Sequence, residues 1–356
     1  MTAELEQARA ELRTVARALL ARSGPRPDWQ ALADAGWPGL EVSPQAGGSG
    51  ATFAEVAVIA TELGRAGVIS PFLGTAVLGA GLLSMLGPAP ERDELLSEIA
   101  AGRGRVAVAM STGDAAVTGE VTPFRLRRDH GRLILRGRAE FVPDAAAADH
   151  ILVLARDPAG LPVVIPLAAG RLLAEPQPVV DETRQLAVIS AADVAVSEAE
   201  WWPLATDRGS VLTAVADRAA LAVACDSLGI SEAMLAATVS YAGQRYQFGR
   251  PIGSFQAVKH ACADMLVQVS MTRELVSEAA AAVADGAPGA AAAVSMAKSY
   301  ASTAAVAVTG KAIQLHGGIG YTWEAGLHAF LKRALLNRAL FGSPAAHRQR
   351  LARRYD

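Results

Sequence analysis

Two glycine-rich segments in the C-terminal half carry most of the side chains that could do chemistry. The first, Arg245-Tyr-Gln-Phe-Gly-Arg-Pro-Ile-Gly253, joins two helical stretches. Gly243 and Gly249 can stop a helix and Pro251 can restart the chain, which is the structural reading. The chemical reading is that Arg245 and the adjacent loop amides bind a phosphate group, since a guanidinium presents a planar fork of N–H donors. The second segment, Gln314-Leu-His-Gly-Gly-Ile-Gly-Tyr321, has glycines that permit positive φ and a close backbone approach to a ligand. A helix precedes it where a dinucleotide-binding glycine motif needs a strand, so a Rossmann reading has weak support. As a helix stop it is equally well explained.

Other chemistries find little support. The six histidines are scattered, and none has metal-ligand spacing with a carboxylate. His260 and Cys262 are two apart and so fall on different helix faces. Cys225 and Cys262 are the only cysteines, which excludes a disulfide scaffold or a paired-Cys zinc module. Ser49 lies in Gly47-Gly-Ser-Gly without the strand-turn-helix context of a nucleophile elbow. No metal site is expected.

The elements that must position these segments fall into three textures. Residues 1–104 read as helical, with Ala8, Leu12, Val15, Leu19 and Leu20 near one face of a first helix. Asp28 is placed as an N-cap, Val42–Thr52 as a loop, and further helices over Phe53–Leu63, Pro71–Leu86 and Arg92–Ala101. Residues 105–203 read as short strands punctuated by Gly, Pro and Asp, hence an antiparallel sheet or small barrel. Residues 204–356 return to long helices, expected over Gly209–Gly243, Phe255–Ala284, Ala290–Leu315 and Leu327–Leu340. Long helices with short connections read as a bundle.

The 356 residues are 51% hydrophobic and 19% charged, which excludes disorder. A net charge of -2 leaves no global basic field for nucleic acid. The Ala279–Ala297 stretch is broken by Asp285, Gly286 and Pro288 and does not read as a membrane span. With acidic residues at its start instead of a signal peptide's basic region, the chain is expected to be cytoplasmic, with neither nucleic acid nor membrane as partner.

Taken together, the motifs resemble those of the acyl-CoA dehydrogenase family over essentially the whole chain. Arg245-x-x-Phe248-Gly249-x-Pro-Ile, followed by Phe255-Gln256-Ala-Val-Lys-His and Ala263-Asp-Met, is similar to one hallmark. Gln314-x-His-Gly-Gly-Ile-Gly-Tyr-Thr-x-Glu324 is similar to another. Trp37-Pro-Gly-Leu, Gly47-Gly-Ser-Gly and Glu62-Leu-Gly-Arg resemble its N-terminal domain. The resemblance implies an α+β fold: a helical N-terminal domain (1–104), a β-barrel middle domain (105–203) and a C-terminal four-helix bundle (204–356). It implies FAD, an acyl-CoA substrate that becomes the enoyl product, and an electron-transfer flavoprotein as acceptor. In such chemistry a carboxylate in a desolvated site removes the α-proton while hydride leaves the β-carbon.

Residue by residue, Arg245 and Phe248 match positions that touch a neighbouring subunit's FAD. Gln256, Gln314, Gly317 and Gly318 match positions holding its adenosine end across a dimer interface. Ser111 keeps a hydroxyl in Ala109–Asp114, where the family's glycine-rich flavin-binding run is degraded. Phe141-Val-Pro143 replaces a Trp-Ile-Thr run that packs on the flavin. Phe341, in Leu340-Phe-Gly-Ser343, stands where the family has its catalytic glutamate, and Ala219 stands at the alternative glutamate position. Neither can take a proton. The leading expectation is therefore a subunit without its own base, in an α2β2 hetero-oligomer with a related glutamate-bearing chain. The alternatives are a homotetramer with a displaced base (Asp217, Glu232 or Glu324) and a non-enzymatic acyl-CoA-binding or scaffold protein.

Overall fold

The computed structural model describes residues 2–204 and 208–353. The N-terminal region contains α1 (Thr2–Ser23), α2 (Trp29–Asp34) and α3 (Phe53–Ala66), then a π-helical stretch, Leu73–Ala80, that runs into α4 (Gly81–Met85), and finally α5 (Pro90–Ala100). Asp28 caps α2 by accepting from the Gln30 N–H at 3.3 Å. Thr52 and Glu55 form a capping box on α3: the Glu55 carboxylate accepts from the Thr52 N–H at 2.9 Å, and the Thr52 hydroxyl accepts from the Ala54 N–H. The face expected for α1 holds in part: Leu12, Leu19 and Leu20 pack on the core and are joined by Ala16, but Ala8 and Val15 are exposed. Arg9 pairs with Glu55, and Arg17 with the buried Glu62, both on α3, and these ion pairs fix which side of the helix faces inward.

The middle region contains β1 (Val106–Ala109), a single helical turn α6 (Ala115–Thr118), β2 (Phe124–Asp129), β3 (Arg132–Pro143), β4 (His150–Arg156), β5 (Pro162–Ala168), β6 (Leu173–Pro176), β7 (Leu186–Val196) and β8 (Trp202–Pro203). They form one eight-stranded, mainly antiparallel sheet in the order β6-β7-β3-β2-β4-β5-β8, with β1 parallel on β4. Alternation gives it two apolar faces. Ala107, Phe124, Leu135 and Ile189 belong to a core within the sheet, whereas Val106, Val108, Leu152 and Leu154 face the helices and join their core.

The C-terminal region contains α7 (Arg208–Gln244), a small hairpin of β9 (Tyr246–Gln247) and β10 (Arg250–Pro251), then α8 (Gln256–Ala284), α9 (Ala290–His316), α10 (Leu327–Ala339) and α11 (Pro344–Ala352). The last was not expected from periodicity. It starts at Ser343, whose hydroxyl accepts from the Ala346 N–H, with Pro344 in the first turn. Within α7, Val211–Gln244 is long and apolar enough to cross a membrane, but it is mostly buried among the other helices. Helices α3 and α7 cross at glycines. A Cβ on Gly229 would meet the Thr61 carbonyl oxygen at 1.9 Å, and one on Gly64 would meet that of Asp226 at 2.2 Å.

A buried charge network ties the three regions together. Asp226 on α7 accepts from Arg333 at 2.6 and 2.9 Å and from Asn337 at 2.7 Å, both on α10, and lies 3.1 Å from Arg184 between β6 and β7. Arg333 also donates to the carbonyl of Val68 and the hydroxyl of Thr183, each at 2.9 Å. Burial by itself would raise the Asp226 pKa, but the two guanidiniums and their hydrogen bonds bring it down to about 2.

Candidate functional site

The expected site residues gather at two places, at opposite ends of α7. One surrounds Phe341, the other Arg245. From Ala219 to Gln244 the helix rises about 38 Å at ~1.5 Å per residue.

At the first place Phe341 is 1% exposed, with φ +54°. Positive φ at an aromatic residue is costly and persists only where surrounding contacts impose it. Those contacts involve nearly every polar backbone group of the loop. The Phe341 N–H donates to the Thr112 carbonyl. The Phe341 carbonyl accepts from His347 Nε2 at 2.9 Å, and the Gly342 carbonyl accepts from Lys298 Nζ at 2.7 Å. Ser343 donates its N–H and hydroxyl to Asp114, at 2.7 and 3.2 Å. Thus the Ser111–Asp114 segment is bonded directly to the loop bearing Phe341. Burial lowers the Lys298 pKa to about 7, and burial also lowers that of His347 to about 4.

Several groups nearby are also engaged, although the Ser111 hydroxyl has no partner among the described residues. The Thr112 hydroxyl donates to the Glu140 carbonyl at 3.0 Å, and the Ser111 N–H to the Val121 carbonyl at 3.3 Å. Phe141, again at positive φ, gives its N–H to the Gln177 side chain at 2.7 Å. Pro143 has no N–H to give. Ala219 is fully buried. The adjacent Arg218 donates to Glu41 and to the Val77 carbonyl, and lies 4.8 Å over the Phe53 ring.

None of the three acids weighed as substitute bases is free beside Phe341. Asp217 forms a two-pronged ion pair with Arg350, 2.9 Å for one prong; burial still leaves its pKa raised. Glu232 pairs with Arg273 at 2.7 Å and with Arg65. Glu324 is exposed, and its own backbone N–H and the Thr322 hydroxyl hold its pKa down.

At the second place the Tyr241 ring stacks on His316 at 4.4 Å between centroids, joining the ends of α7 and α9. That contact brings the 245–256 hairpin and the 314–318 turn to one end of the bundle. Phe248 and Gly249, at φ +52° and +76°, make the tight hairpin turn, and the Phe248 ring is 91% exposed. Arg245, Gln256, Gln314, Gly317 and Gly318 are all exposed. The Arg245 guanidinium has no partner among the described residues, and a Cβ on Gly317 or Gly318 would meet nothing within 4 Å. Gly320 differs: a Cβ there would sit 2.6 Å from the Ile313 carbonyl oxygen, so its smallness serves packing. Among the described residues no group of three or more His, Cys, Asp or Glu could hold a metal.

Residues 3–103 match the sequence profile of the acyl-CoA dehydrogenase N-terminal domain, and residues 208–355 that of the C-terminal domain. The chain belongs to the acyl-CoA dehydrogenase family. These are FAD-dependent oxidoreductases acting on CH–CH bonds. Among its relatives, the acyl-CoA dehydrogenase IpdE2 of Mycolicibacterium smegmatis is 32% identical over 91% of this chain and 86% of its own. Of the solved structures, a steroid acyl-CoA dehydrogenase variant, Tcur3481-Tcur3483, superposes with a TM-score of 0.85 at 28% identity, covering 98% of both chains. The ChsE4-ChsE5 complex of Mycobacterium tuberculosis also gives 0.85, at 25% identity over 98% of this chain and 97% of that one. The acyl-CoA dehydrogenase fold, with its helical, β-sheet and helical regions in that order, is therefore the architecture of this chain.

Proposed function

We propose that this chain is the non-catalytic member of a hetero-oligomeric acyl-CoA dehydrogenase, completing the FAD site of a related chain that carries the carboxylate base. The observation that supports the reading is Phe341, a buried aromatic residue at the position matched to the family's base, in a loop whose main chain is held by Thr112, His347 and, through Gly342, Lys298. A base must reach its proton at hydrogen-bond distance. A phenyl ring and the Ala219 methyl cannot accept one.

The fit of FAD differs between the two ends of α7. Around Arg245 the residues suit it. An unpartnered guanidinium can neutralise a pyrophosphate, Gln256 and Gln314 offer amides, and Gly317 and Gly318 leave room for a backbone to approach. Around Ser111 they suit it less well, because the Thr112 hydroxyl and the Phe141 N–H are already given to protein acceptors and Pro143 has none, which leaves the Ser111 hydroxyl. In this reading Arg245, Phe248, Gln256 and the Gln314 turn serve a flavin whose reactive ring lies in the partner chain. FAD there would accept the hydride from the acyl β-carbon. This chain's part is to fix the cofactor's charged half and exclude water from it.

Heteromeric relatives such as ChsE4-ChsE5 support the assembly, and a steroid-type acyl-CoA thioester is the first substrate class to try, with an electron-transfer flavoprotein as acceptor in the cytoplasm. A self-sufficient homotetramer needs a carboxylate near Phe341, and Asp217, Glu232 and Glu324 are each occupied or exposed. A scaffold that has lost flavin would not need an unpaired Arg245. To test the proposal, the chain is purified alone and with a neighbouring family member, and flavin per chain and enoyl-CoA formation are measured. FAD and activity in the mixture alone are expected. Full FAD occupancy and turnover by the lone chain would overturn the proposal.

A further inference from the structure

Arg125, Arg127 and Arg156 line a concavity of about 410 Å³ beside the turn from Asp157 to Gly160. The strand register there is unusual. Arg125 on β2 stands directly across from Arg136 on β3 and, on its other side, directly across from Arg156 on β4. Like charges directly opposite each other destabilise a sheet. Three guanidiniums in a row across three neighbouring strands therefore call for an anion.

The chain does not supply one to the middle of the row. Arg136 is taken by Asp193 and Arg128 by Glu198. Arg156 donates to the Gly160 carbonyl at 3.0 Å. Asp157, the acid among the lining residues, turns one oxygen to the N–H groups of Ala159 and Leu161, at 2.9 and 2.7 Å. Asp129, further along β2, stands across from Arg132. Arg125 and Arg127 form no hydrogen bond or ion pair among the described residues.

We propose that the concavity lined by Arg125, Arg127 and Arg156 is a binding site for the phosphate group of a small molecule. Two adjacent free guanidiniums with a third beside them match a phosphate dianion, whose several oxygens accept from more than one fork at once. With a whole-chain charge of -2, the attraction is local. The site lies in the sheet, and the assignment of the catalytic base to another chain does not enter into it.

Inorganic phosphate and, separately, adenosine 3′,5′-bisphosphate are titrated calorimetrically into the full chain at low salt. Saturable binding is expected, weakening with added sodium chloride and reduced by about tenfold or more in Arg125→Ala/Arg127→Ala. Arg132→Ala, on the same face outside the concavity, should bind as the unmodified chain does. Binding of inorganic phosphate would identify free phosphate as a sufficient ligand, and binding of the bisphosphate alone would identify a nucleotide as the source. Failure of both to saturate, or equal binding by the double variant, would overturn the proposal.

Discussion

Removing the Asp226 carboxylate should strand two buried cations. Asp226→Ala leaves Arg333 and Arg184 in the interior without their counter-ion, a situation that typically costs 3–5 kcal/mol or about that. Urea unfolding of the variant should show a midpoint lowered accordingly, whereas Glu278→Ala on the exposed face of α8 should change it little. Lys298 gives a second test. Its folded pKa of about 7 lies below its ordinary 10.5, so the unfolded chain binds the extra proton between those values. Stability must therefore rise with pH across that window: the cost of burying the charge is present in full below about 7 and fades toward 10.5. In Lys298→Met that part of the slope should flatten, as read from unfolding curves at several pH values. An unchanged slope would mean that Lys298 is not the titrating group.

Among the elements, the α3–α7 crossing is the tightest contact. Gly229→Ala places a methyl 1.9 Å from a backbone oxygen, which neither helix can relieve by a rotamer change. A loss of about 1–3 kcal/mol or more is expected, seen as a lower melting temperature, while Gly243→Ala, with open space around it, should be nearly neutral. The long bundle helices were legible from sequence because Gly243, Pro251 and Pro288 mark their ends in covalent chemistry that acts locally. From its sequence Leu73–Ala80 reads as ordinary helix, but it is π-helical. Its register answers to distant groups, Asp144 bonding the Gly74 N–H at 2.8 Å and Val106 lying against Gly79. Likewise the ion pairs that set the exact facing of α1 are not legible locally, because Glu55 and Glu62 lie 46 and 45 positions from Arg9 and Arg17. The Ser343-Pro344 pair at the start of α11 is a helix-start signal present in the sequence itself. Of the site, the Arg245 and Gln314 segments could be picked out as motifs. The closure of Ser111–Asp114 onto the Phe341 loop could not, since its bonds, Phe341 to Thr112 and Ser343 to Asp114, join residues 229 apart.

For the whole molecule, the exposed rings of Phe248, Tyr321 and Trp323 near the Arg245 end of the bundle mark a face that water alone covers poorly. In the proposed assembly that face meets a second chain. Phe248→Asp should then shift the complex toward separate chains in size-exclusion chromatography with light scattering, and lower flavin content with it, without changing the thermal stability of the lone chain. An unaltered elution profile would place the contact elsewhere.

The length of α7 has a consequence of its own. Substitutions well separated in space, with no shared contacts, act independently, and the surroundings of Phe341 and of Arg245 are divided by most of that helix. Under the proposed assembly, a duplicated gene could thus abandon proton chemistry at one extremity while selection still guards what would be lent to a sister polypeptide at the other.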